Sequence, residues 1–485
     1  MKQTTRSLLT TLVVLVAAGA IGGAALWVTR DTEKKAQQKE KSAKLFDGFD
    51  KSKARKIKLL REGKLVATVA RADAGAPWKL AEPIAAEADT TAMEAMLNAF
   101  ADFKQKSDLG EADPAQYGLD HPNTVVTVTM DDGKEQSLEI GETNPFDSSI
   151  YARKAGEKTV RIADGWEKAP FEKQLLDLRD KRVLHLDDSA EVRRIEVAGT
   201  SPAYKLEKDG TSWKLVAPQQ GAADASTADR VASVLKSLRA TGIAAESAQG
   251  AALKRYGLSP AKVSVQLTVA APGGKDTFRR TLLLGQPPPK GSVAVKTYAK
   301  RDDSSIVFEI DQQILKDLQK NVFDLQDKSL VHVNREDVKK IVFEQPGSPR
   351  IVVERKREQP KDGGFADEAF TVLEPKQAPA KKWKLSSALY SITGLRASAF
   401  AAKPDASAFN QARTISLLGD ADKVLATVRI GAETKDGKRR YASSDAQGRV
   451  AEIEKTTADE LPKTLDDVLE AAAAPDAGPG TQAAK

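Results

Sequence analysis

Two rhythms alternate along this chain. Behind Asp89 the apolar positions Met93, Met96, Leu97, Phe100 and Phe103 fall three or four residues apart, which on an α-helix places them on one stripe. The same stripe is written again behind Asp224, as Ala228, Val231, Ala232, Leu235 and Leu238. Elsewhere the period drops to two: 125–130 and 263–269 alternate apolar with polar side chains, as strands do when one face is buried. Asp131-Asp132-Gly133 supplies a hairpin turn after the first of these strands. Asp89 and Asp224 stand where a short side-chain oxygen takes up the free N–H groups of a helix's first turn, so both are read as N-caps.

The rhythm is that of an internal repeat. Trp78-Lys79-Leu80 with Pro83 returns 135 residues later as Trp213-Lys214-Leu215 with Pro218. Tyr117-Gly118-Leu119 before Pro122 pairs with Tyr256-Gly257-Leu258 before Pro260, Ile140-Gly141 with Leu284-Gly285, and Tyr151-Ala152-Arg153 with Tyr298-Ala299-Lys300. Amphipathic segments, FEKQLLDLRD and QILKDLQKNVFDLQD, lead into the octamers DKRVLHLD (180–187) and DKSLVHVN (327–334), each holding one of the chain's three histidines. A divergent third copy places Phe370 and Pro375 where Trp78 and Pro83 stand. Its helical stripe is Leu385, Ala388, Leu389, Ile392 and Leu395, followed by Ile430-Gly431 and Tyr441-Ala442. There Lys381 replaces the capping Asp and no closing octamer follows, as suits a terminal repeat with no successor.

The predicted fold class is therefore α+β: three tandem modules of mainly antiparallel sheet, each with one or two packed helices, behind one N-terminal transmembrane helix. The expected boundaries are 1–29 for a signal anchor, 30–54 for a basic stalk, and 55–187, 188–334 and 335–470 for the modules. A disordered tail is expected over 471–485.

The anchor rests on residues 8–28, which are 21 uncharged and mostly apolar positions, long enough as a helix to span about 30 Å of bilayer. Lys2 and Arg6 precede this run and Trp27 sits near its end, where an interfacial aromatic belongs. Charge then changes the picture. The net +7 comes from residues 1–58, which hold thirteen Lys or Arg against five acids; the rest of the chain carries 62 basic and 63 acidic residues. With a neutral folded part and almost no aromatics in the basic run, nucleic acid is not expected as a partner. The positive-inside count would keep the modules in the cytoplasm, but long domains translocate largely regardless of such charge. The expectation is a single-pass inner-membrane protein with most of the chain periplasmic or otherwise extracytoplasmic, and the lipid bilayer as a partner through residues 8–28. The absence of Cys removes disulfides, thiolate metal sites and a cysteine nucleophile.

Candidate chemistry is sparse. His185 and His332 hold equivalent places inside apolar segments with no His or Glu at ligand spacing, and are read as hydrogen-bonded structural residues; His121 has no counterpart. Trp78 and Trp213 are candidates for lining a ligand groove between modules, although their alternation with Leu80 and Leu215 fits core packing better. Asp89 and Asp224 lie in separate modules and are not expected to meet. Pro83, Pro218, Tyr117 and Tyr256 are structural repeat positions. Ser233 and Lys236 match S-x-x-K, yet the first copy has Asn98 and Ala101 there and no downstream partner motif exists. Gly141, Gly285 and Gly431 are read as strand-end or turn positions needing unusual backbone angles. No phosphate-binding loop, dinucleotide fingerprint or hydrolase elbow occurs, and no catalytic residue, cofactor or metal is expected.

Taken in order, W-K-L-x-x-P, an Asp-capped helix, Y-G-L with a following Pro, a strand ending in Ile-Gly or Leu-Gly, and Tyr-Ala resemble the bacterial domain-of-unknown-function family numbered 4340. The resemblance runs as tandem copies over residues 55–470. It implies a single-pass membrane protein associated with ABC-type transporters of the gliding-motility auxiliary kind, with no catalytic residues to carry over. The expected function is a non-catalytic, membrane-anchored extracytoplasmic scaffold that contacts a membrane or envelope protein partner. The alternative is a module binding an envelope glycan or small ligand in inter-module grooves.

Overall fold

The computed structural model describes residues 44–271, 277–286, 296–358, 367–401 and 407–470. The anchor, residues 30–43 of the stalk and the tail lie outside the described residues. Among the described residues no helix is long and apolar enough to cross a membrane.

Each module is one nine-stranded antiparallel sheet with a long helix on its inner face. In module one the strands are β1 (Ala54–Arg61), β2 (Lys64–Ala70), β3 (Lys79–Glu82), β4 (Ala86–Glu87), β5 (Ser107–Glu111), β6 (Thr124–Met130), β7 (Glu135–Thr143), β8 (Ile150–Lys154) and β9 (Thr159–Ala163). Helix α1 (Thr90–Ala101) falls between β4 and β5. The order β4-β3-β2-β1-β6-β7-β8-β9-β5 is two four-stranded meanders joined through β1 and β6, with β5 added on the far edge. Modules two and three repeat this order strand for strand around α2 (Ala225–Lys236) and α3 (Lys382–Thr393).

Period-two patterning sets which face is inside. In β6, Thr124, Val126, Val128 and Met130 are buried while the residues between them are half-buried. Val126 and Val128 lie opposite Leu59 and Ile57 of β1, so register is pinned where both meanders share the core. Nine strands about 4.8 Å apart would span roughly 38 Å if flat, whereas a helix with its side chains is about 10 Å across. Yet residues from Leu80 on β3 to Ala163 on β9 belong to one core with Met93, Met96, Leu97 and Phe100 of α1. The sheet must therefore curve around its helix.

The octamers belong to the modules they precede. Val183, Leu184 and Leu186 are buried in the second core, and Leu330 and Val331 in the third. Module one has a counterpart that the octamer pattern does not reveal: Leu45 and Phe46 are buried in its core, so this module begins before residue 55. The three opening segments make the same isolated pairings, Lys44 with Lys104, Arg182 with Arg239 and Ser329 with Arg396. Asp50 and Asn334 then cap equivalent 3-10 turns. The third copy also keeps a closing turn, Leu465–Val468, which matches Leu175–Leu178 and Val322–Leu325. The N–H groups of Asp89, Asp224 and Lys381 bond in turn to the carbonyls of Leu178, Leu325 and Val468. Pro83, Pro218 and Pro375 all follow cis peptide bonds.

The reading of Gly141, Gly285 and Gly431 needs correction. None has a positive φ; that role falls to Gly118 (φ 65°) and Gly257 (φ 64°) of the Tyr-Gly-Leu segments. The strand glycines are required for space, because a β-carbon at Gly141, Gly285 or Gly431 would overlap the carbonyl oxygen of Tyr117, Tyr256 or Ala408. Gly285→Ala should therefore destabilise module two by about 3 kcal/mol through overpacking. Gly133→Ala, at φ 80° with open space around it, should cost about 1 kcal/mol from backbone strain alone. Denaturant titration of the purified chain distinguishes the two, and equal costs would contradict the close-approach account.

Candidate sites at the module junctions

Trp78 and Trp213 do not build a ligand groove. They are 1% and 3% exposed, inside the first and second cores. A buried indole N–H needs an acceptor, and the long helix supplies one sixteen residues on: Trp78 Nε1 donates to Glu94 (3.2 Å) and Trp213 Nε1 to Asp229 (2.7 Å). In module three Phe370 has no N–H to satisfy, and the same helix position is Ser386, which donates to Glu368 instead. The edge of Trp213 reaches a shallow depression shared with Asp229, Ser233 and Lys236. Lys236 Nζ there donates to the carbonyls of Asp188 and Ala190, so the S-x-x-K pair forms no nucleophile and base.

The octamers close on themselves. His185 Nδ1 lies 2.9 Å from Asp180, and His332 Nε2 lies 2.6 Å from Asp327, so each histidine bonds to the aspartate that opens its own octamer. Burial pushes the Asp180 carboxyl up, but hydrogen bonds from His185 and Arg182 outweigh it and hold the group well below the usual carboxylate range. His121 is exposed on the surface. Tyr117 and Tyr256 pack against Tyr151 and Tyr298, with ring centroids 4.7 and 5.1 Å apart.

Asp89 and Asp224 are N-caps, accepting from Ala92 N–H (3.0 Å) and Thr227 N–H (2.8 Å). They do not meet each other; each sits at a different junction and does a second job there. The other oxygen of Asp89 takes Arg239 of module two at 3.2 Å, and that of Asp224 takes Lys328 at 3.3 Å together with Arg396 of module three. Arg239 and Arg396 are equivalent residues, each three beyond the end of its helix. Asp224 is 3% exposed; burial raises its carboxyl, but hydrogen bonds from Ser226 and Thr227 and the charge of Lys328 bring it well below the ordinary range. The first junction adds a buried Arg179 paired with Glu246 at 2.7 Å. The second adds Phe323 edge-on to Phe400, with Arg449 stacked on the latter.

Sequence patterning finds the caps but misses these cations. The signal was present: an Arg or Lys directly follows the last stripe residue in every copy, as Phe103-Lys104, Leu238-Arg239 and Leu395-Arg396.

Polar clefts lie at both junctions. One of about 300 Å3 is lined by Asp89, Thr91, Asp180, Arg182, Asp188 and Arg239. Another of about 400 Å3 lies between Gln219, Gln220 and Gln326 of module two and Gln447 and Arg449 of module three. Outside them, burial pushes the Glu167 carboxyl up to about 7 against the opposing pull of the Lys104 backbone N–H. Among the described residues no cluster of three or more His, Asp or Glu is placed to hold a metal ion.

Repeated sheets fastened through repeated ion pairs define a tandem-repeat α+β protein. The family model described as "Domain of unknown function (DUF4340)" matches residues 78–251 and again residues 213–414, over half of the chain. The chain belongs to that family, as tandem copies of its domain. No curated protein and no solved structure shows significant similarity to it.

Two outcomes follow. Asp229→Ser, which leaves the Trp213 N–H without its acceptor, should cost about 1 kcal/mol in the natural chain and almost nothing in a Trp213→Phe background; denaturation of the four proteins of the cycle measures the coupling. Asp224→Asn keeps a good N-cap but removes the charge facing Lys328 and Arg396. Module two should thus stay as stable within a few tenths of a kcal/mol, while the contact to module three weakens by about 1–3 kcal/mol. Limited proteolysis between residues 326 and 329 should accelerate in this variant. Because the Asp224 carboxyl is held below its ordinary 3.8, the natural junction keeps this contribution at pH 5 and loses it on acidification below pH 4.

Proposed function

We propose that the protein is a non-catalytic scaffold, anchored in the inner membrane by residues 8–28 and holding its three modules outside the cytoplasm as one continuous interaction surface. The observation that carries this reading is the junction. Two successive capping aspartates are each clamped by a cation of the following module, so the modules are held in a defined order. Groups that could do chemistry are engaged in holding structure: both octamer histidines bond to aspartates, and Lys236 bonds to backbone carbonyls. A scaffold of this kind suits a role as accessory to a membrane complex such as an ABC-type transporter, which is the setting the family resemblance suggests.

Topology decides whether this reading survives. A reporter active only outside the cytoplasm, fused near residue 470, should be active in cells, and a cytoplasm-active reporter at the same point should be silent. The reverse result would place the modules in the cytoplasm and replace the envelope scaffold with a cytoplasmic adaptor.

A further inference from the structure

At both internal junctions the N-terminal end of a long helix is covered by the module that follows, through Arg239 on Asp89 and through Lys328 and Arg396 on Asp224. Helix α3 of module three presents the same end, and no following module covers it among the described residues. Here the residues change in two ways. Lys381 stands where the capping aspartates stand, which reverses the charge; its Nζ donates to the Asp466 carbonyl at 2.8 Å. Trp383 stands where Thr91 and Ser226 stand, and Tyr390 where Asn98 and Ser233 stand.

Trp383 and Tyr390 are both 71% exposed, in contrast to the buried indoles of Trp78 and Trp213. Seven residues apart on one helix, they lie on a single stripe about 10.5 Å long, with the exposed Ser387 leaving the ground between them low. Two large aromatics side by side on a surface whose repeats are polar at those positions form the kind of anchor that concentrates binding energy in protein interfaces.

The charge reversal selects the occupant. Another copy of this chain stacking head to tail would offer Lys104, the module-one residue in the place of Arg239 and Arg396. That would set one lysine against another, and like charges across an interface exclude a partner. We propose that Lys381, Trp383, Ser387 and Tyr390 form a docking face for a different protein, one that presents a carboxylate to Lys381 and an apolar slot to the Trp383 indole. This deepens the scaffold reading and rests on it, by naming the end of the array that meets the partner and the chemistry the partner brings.

The test uses the full chain in its native membranes, with a benzophenone amino acid placed at Ser387 or, for comparison, at Phe146, which is 95% exposed on module one. Lys381→Asp and Trp383→Ser install residues already found at equivalent positions in modules one and two, so both variants keep the fold. Light should join the Ser387 probe to a second, different polypeptide. The yield should fall about tenfold or more in Lys381→Asp and in Trp383→Ser, as loss of an interface anchor predicts, and should be retained in Lys381→Arg. A product made of two copies of this chain, a link to residues 471–485 of the same chain, a yield indifferent to Lys381→Asp and Trp383→Ser, or no product would each overturn the proposal. Products from the Phe146 probe with none from Ser387 would remove this docking face while leaving the scaffold reading standing.

Discussion

The organisation of this protein turns on one carboxylate used twice. A helix N-terminus leaves backbone N–H groups unpaired and carries a partial positive charge, and a capping aspartate answers both. At Asp89 and Asp224 one oxygen does this work, and the second remains to accept a cation from the next module. The helix end that must be satisfied for a module to fold is thereby also the point at which its successor is fastened. Asp224 carries this furthest, being almost fully buried, with hydrogen bonds from its own module and two cations from the next. The third copy shows the coupling by exception: among the described residues no following module covers its helix end, and Lys381 stands where the aspartates do.

Around that contact each module solves the same packing problem. A nine-stranded sheet must curve to bury its inner face against a single helix, and close backbone approach at a few points sets how the second meander folds over. Gly141, Gly285 and Gly431 let a strand lie against the carbonyl of a preceding turn. The tyrosines that flank two of those glycines pack against one another across the same step, tilted in one module and edge-on in the other. Each of the two core indoles is satisfied within its own module, by an acid on that module's long helix. Loss of the indole in module three is accompanied by loss of the acid, so the pair behaves as one unit.

Much of this was legible because it is local. The stripe of Met93, Met96, Leu97 and Phe100, the alternation from Val125 to Met130, and the caps at Asp89 and Asp224 all depend on neighbours within a turn or a strand. The histidines were likewise legible as structural, since Asp180 and His185, or Asp327 and His332, stand five residues apart. What escaped was non-local. Lys44, Leu45 and Phe46 share no motif with the octamers, yet they occupy the same place, each opening segment pairing with the residue just after its helix's last stripe position. The strand glycines were recognised but given the wrong cause, because a sequence shows that a side chain is missing and not what would have met it.

The number of repeats, the helix and strand periods, the caps and the family follow from side-chain order along one chain. Folding in three dimensions was needed to put Trp78 and Trp213 in the cores, to pack the octamers into the following modules, and to carry Asp89 and Asp224 across junctions to Arg239 and Arg396. The physical reason is the same in each case. Burial and ion pairing depend on which surfaces meet in space, and partners 150 or 172 residues apart in the chain leave no periodic trace of that meeting.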